Sequence, residues 1–124
     1  MRIRLLSDSC AKGWASWGHG ELWLTEDALV RIGKRAPASH VAKALSAGPA
    51  GREEMDVKWD SWAHYLATHH DVQVLAFEQI VVARLQAGLA TSSLAVRLRH
   101  GPRIRLLWRR TPGTLQAIRA VLPA

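Results

Sequence analysis

The chain has 124 residues and a formal net charge of +7, with 48% hydrophobic and 22% charged residues. That size makes one domain the default, able to bury roughly two-thirds of its unfolded surface, and the balance is that of a globular chain. The single cysteine, Cys10, excludes an internal disulfide, and the apolar run Ile80–Ala83 is far short of the ~18 residues of a membrane span.

The charge is uneven. Residues 1–78 hold nine Lys/Arg and ten Asp/Glu, a net −1, whereas residues 79–124 hold eight arginines and no acid, a net +8. Such asymmetry points toward an anionic partner: a lipid headgroup, an acidic protein or, less well, a nucleic acid. The alternative is a solvated face in a chain that uses 13 Arg against four Lys. The opening Met1–Asp8 carries too short an apolar part for a signal peptide. With the lone thiol, this suggests a cytoplasmic protein, with a peripheral position at the inner membrane face open to it.

Taken in chain order, residues 1–6 alternate, with Ile3 and Leu5 opposite Arg2 and Arg4, and predict a short strand. Residues 7–20 are rich in Ser and Gly and read as a loop carrying Trp14 and Trp17. Residues 21–32 read as a hairpin turning at Glu26-Asp27, with Leu22 and Leu24 on one face and Trp23 on the other. Pro37 ends that unit. A helix capped by Ser39 and running through Ala47, then a second with Trp59, Trp62, Ala63 and Leu66 on one stripe, make residues 37–71 a helical insertion. Strand character returns at Val72 and again over Val81–Gln86.

The clearest hairpin follows. Leu94, Val96 and Leu98 face in on the first strand, with Ile104, Leu106 and Trp108 on the second; Arg97, Arg99, Arg103, Arg105, Leu107 and Arg109 face out. A turn at His100-Gly101-Pro102 would place Arg99 opposite Arg103 and Arg97 opposite Arg105. Thr111 then caps a final helix with Pro112 in its first turn and a stripe of Leu115, Ile118, Val121 and Leu122. The order predicts an α+β fold: a small antiparallel β-barrel or two bent antiparallel sheets, one domain over 1–124, with one amphipathic C-terminal helix as cap.

The stretch Gly20-Glu21-Leu22-Trp23-Leu24-Thr25 resembles the Gly-x-Leu-x-Leu-Thr hairpin of GRAM and bacterial pleckstrin-homology-like domains. The unit from Leu94 to Trp108, followed by the helix at 112–122, is similar to their closing hairpin and helix. The resemblance covers a little over half of the chain. It implies two near-orthogonal sheets with a capping helix, and a binding or scaffolding role without catalysis.

The candidate anion-binding residues are Arg97, Arg99, Arg103, Arg105 and Arg109. Like charges directly across a strand pair are unfavourable, and phosphates or carboxylates that guanidinium groups bind bidentately would offset this. The outer face interleaves no aromatic with its arginines, which counts against single-stranded nucleic acid. Trp23 is the candidate partner contact, for a second protein or a second copy, if its face is open. The alternative places it beneath the insertion or the 7–20 loop. His64, His69 and His70 lack the i, i+4 spacing of a zinc pair, the segment Ser7-Asp8-Ser9-Cys10-Ala11-Lys12 shows no signature of a nucleophilic cysteine, and no Gly-rich phosphate loop occurs. No metal, cofactor or catalytic group is therefore expected.

Overall fold

The computed structural model describes residues 1–12, 19–33, 55–69, 71–101, 103–110 and 113–122. The expected helix Ser39–Ala47, Trp14, Trp17, His70, Thr111 and Pro112 lie outside these residues. The elements are β1 (Arg2–Ala11), β2 (His19–Leu24), β3 (Ala28–Gly33), β4 (Met55–Asp56), α1 (Trp59–Ala67) and β5 (Val72–Ala76). A 3-10 turn (Phe77–Gln79) then leads to β6 (Ile80–Ala87), β7 (Thr91–Leu98), β8 (Arg103–Arg109) and α2 (Thr114–Val121).

All strand pairs are antiparallel, and the sheet runs β5-β3-β2-β1-β8-β7-β6, with β4 against the start of β1. The α+β class holds. The sheet is open: β5 and β6 are joined by the 3-10 turn but each ends the strand order, so no barrel is closed among the described residues. β1 is the hinge of the arrangement. Its pairing with β2 shifts register between Leu5 and Ser7 and again between Ser7 and Cys10, and at Ala11 it pairs with Leu107 of β8. Each shift adds a residue to one strand and bends it. The Ser-rich segment expected to be a loop after residue 6 is thus a bent strand as far as Ala11.

The β2–β3 hairpin turns where expected. The Thr25 side chain accepts hydrogen bonds from the Asp27 and Ala28 amides, and its hydroxyl donates to the Ala28 carbonyl, satisfying groups that the turn removes from the ladder. Every residue of β3 is buried, because the hairpin is covered on both faces. One face carries Leu6, Cys10, Leu22, Leu29, Leu75, Leu94, Leu106, Trp108 and Ile118, the last brought by α2. The other carries Ile3, Leu5, Trp23, Val30 and Ile32, closed by Trp62 and Tyr65 of α1. α1 spans the expected segment, but its stripe is rotated. Trp59 is 64% exposed, and Tyr65 takes the core place expected of it.

β3 carries one charge into this interior. Arg31 is 1% exposed; it donates to Asp71 Oδ2 at 2.5 Å, to the Cys10 carbonyl at 3.3 Å and to Gln73 Oε1 at 3.4 Å. Gly20, cross-strand from Gly33, leaves room for it: a Cβ there would lie 2.9 Å from Arg31 Nε and 2.4 Å from the Ile32 carbonyl oxygen.

Candidate functional site

The outer face of β6, β7 and β8 gathers the arginines. The register places Arg97 between Val82 and Arg103, and in the next row of that face Ala95 between Arg84 and Arg105. Neighbouring strands lie about 4.8 Å apart, so Arg84 and Arg105 stand about 10 Å apart across the small Ala95. Together Val82, Arg84, Ala95, Arg97, Arg103 and Arg105 line an open groove of about 310 Å³. Its lining combines small apolar residues with four arginines, which suits a ligand bearing more than one acidic group.

This corrects the register expected of the hairpin. Arg97 faces Arg103, and Arg105 faces Ala95, because the connection 98–102 is two residues longer than the turn expected. Both loop lengths are odd, so the in-and-out pattern survives while one of the two like-charge pairs disappears. Leu94, Leu106 and Trp108 are buried on the inner side as expected, although the outward Leu107 is also buried.

Of the five candidate arginines, Arg97, Arg103 and Arg105 meet at the groove. Arg99 lies in the turn, where its amide donates to the Gln79 carbonyl at 2.8 Å. Arg109 lies toward the other end of β8, opposite Thr91, with its amide donating to Ser9 Oγ at 3.2 Å. Arg84 joins the groove from β6. Its outward parity was legible on the predicted strand, but its neighbours were not, since they depend on which strands pair. A second hollow of about 440 Å³, beside Gln86, Thr91, Ser93 and Leu107, has no charged lining residue among the described residues.

Trp23 is not a surface. It is fully buried, with its ring edge-on to Trp62 at 5.6 Å and to Tyr65 at 6.2 Å between centroids. Its Nε1–H donates to Glu21 Oε1 at 3.2 Å, and the Tyr65 hydroxyl donates to the same oxygen. Burial, then the bond to the Glu21 carboxylate, pushes the Tyr65 hydroxyl above its ordinary range. The partner-contact reading of Trp23 fails because α1 covers that face of β2.

Two other groups are tuned by their surroundings. Burial pushes the Cys10 thiol up to about 12, against a smaller downward pull from Arg31. The Asp71 carboxyl is lowered to about 2 by its hydrogen bond from Gln73, then by Arg31 and Lys12, against some burial. Among the described residues, no three of His, Cys, Asp and Glu converge on one point that could hold a metal. Comparison with family models, with curated proteins and with solved structures gives no match.

Proposed function

We propose that this chain is a non-catalytic binding module of pleckstrin-homology-like type, and that its arginine face takes an anionic ligand, an acidic lipid headgroup or an acidic protein. The observation that carries this is the groove itself. Four guanidinium groups from three adjacent strands surround one alanine, in a segment of the chain without a single acid. Packing stability does not call for that arrangement, since like charges on facing strands work against the hairpin. The antiparallel strand order and a C-terminal helix seated on the core through Ile118 support the pleckstrin-homology-like reading.

The test uses three probes: anionic against neutral vesicles, inorganic tripolyphosphate, and polyglutamate, each at low and at physiological salt. The wild type binds at least one, and binding weakens steeply as salt rises. The Arg97→Glu/Arg105→Glu variant loses it. Absence of binding to all three probes, or equal binding by the variant, rejects the reading.

A further inference from the structure

The groove adjoins an unfinished edge of the sheet. β6 ends the strand order and among the described residues pairs only with β7, so no described strand takes the backbone groups of its other side. Its two faces differ. Val82, Arg84 and Gln86 share the outer face with the arginine groove, whereas Ala83 and Leu85 point inward, half-buried against the core. Val81, beside the register shift between Ile80 and Val82, is 46% exposed, and Val82 is 50% exposed.

We infer that the β6 edge accepts an extended acidic segment of a partner protein as an added strand. The inference rests on the arginine face being an anion-binding face, and it names the occupant. Backbone hydrogen bonds to β6 hold such a segment, and its alternate side chains read the two faces separately. Apolar residues cover Ala83 and Leu85; acidic residues between them turn outward to Arg84, with Arg97 and Arg105 behind. The recognised pattern is therefore acidic and apolar residues in alternation. Charge also decides against a second copy. Pairing β6 with itself would join two basic faces and bring two Arg84 side chains together. The opposite edge, β5, exposes Val74, and Arg31, cross-strand from its Gln73, is buried, so among the described residues it shows no comparable cluster of exposed arginines.

The experiment is fluorescence anisotropy with a labelled peptide of the eight-residue length of β6, alternating glutamate and valine. Two further peptides carry N-methyl groups on every glutamate or on every valine. In an added strand only alternate N–H groups face the edge, so one methylated peptide loses binding at least about tenfold and the other keeps it. Arg84→Glu weakens the parent peptide by at least about tenfold, as expected for loss and reversal of a charge-assisted contact. Equal behaviour of the two methylated peptides overturns strand addition, whether both bind or both fail. So does tripolyphosphate or anionic-vesicle binding with no binding of the parent peptide, an outcome that leaves the anion-binding face standing. Failure of every probe removes both readings.

Discussion

The Tyr65 hydroxyl of α1 donates its hydrogen bond to the Glu21 carboxylate of β2, beside the Trp23 indole N–H that donates to the same oxygen. Glu21 is 6% exposed, so these two donors replace water for a buried carboxylate. Tyr65→Phe removes one of them while preserving the ring packing against Trp62. The expected loss is about 2 kcal/mol, the scale of a hydrogen bond to a charged group. Glu21→Gln retains an acceptor for both donors and should cost less. Urea unfolding of both variants tests this; a Tyr65→Phe loss below about 0.5 kcal/mol, the range of neutral surface changes, would sink the account.

Asp71 supplies the counter-charge to Arg31. Its carboxyl is held at about 2, below the ordinary 3.8, so its contribution is complete above about 4 and disappears as pH falls toward 2. Because its side chain is 43% exposed, solvent screening limits that acid-sensitive part to about 1 kcal/mol. Deletion is more severe than protonation, since it also removes the hydrogen-bond acceptor that a neutral carboxyl would still offer the buried guanidinium. Asp71→Ala should cost about 3 kcal/mol. Lys12→Ala, removing the exposed partner 3.4 Å from the same carboxylate, should cost under about 0.5 kcal/mol. Thermal unfolding of the two variants, followed from neutral pH down to pH 3, gives both numbers.

How far the sequence reaches is clear from particular residues. Alternation located the arginine hairpin and its inward face, because burial has a period of two in a strand. It could not count the turn, since adding two residues leaves the parity unchanged; hence Arg105 meets Ala95. Polar composition hid the second half of β1, where Ser7, Ser9 and Cys10 sit in a strand bent by two register shifts. Trp23 was ambiguous for a different reason. Alternation identifies the two faces of β2, but an element arriving from 35 residues further along the chain decides that both are covered. Trp59 and Trp62 share one helical stripe in the pattern, and only the seat of α1 on the sheet exposes the first and buries the second. The candidate site was legible for Arg97, Arg103 and Arg105 and incomplete without Arg84, whose place depends on strand order.

Cys10 is closed to reagents while the fold is intact. It is fully buried, and its thiol is held at about 12. The neutral thiol is the stabilised form, so this group's contribution is complete below about 9 and fades as pH rises toward 12. At pH 8, iodoacetamide should label the native protein only through unfolding, and rapidly in denaturant. Labelling of the native protein as fast as that of an unfolded control would contradict the burial.

Ser92 and Trp108 face each other across β7 and β8, and the Ser92 hydroxyl and Trp108 indole N–H are buried without a partner among the described residues. Removing an unsatisfied buried hydroxyl relieves its desolvation, so Ser92→Ala should stabilise by about 1 kcal/mol. A loss of similar size instead would reveal a bridging water between the two groups, which a crystal structure would locate.

Ser9 of β1 and Arg109 of β8 are 100 residues apart yet joined by a hydrogen bond, beside the Ala11–Leu107 pairing that links the two halves of the sheet. The strand synthesised earlier therefore has to wait for one made about a hundred residues later. Until β8 emerges, the end of β1 lacks this neighbour, and the core cluster around Cys10 lacks Leu106 and Trp108. Contacts of such long sequence separation slow folding. The vulnerable moment for this chain thus falls during its own synthesis, when a shortened translation product would present β1 as an unfinished template to other chains.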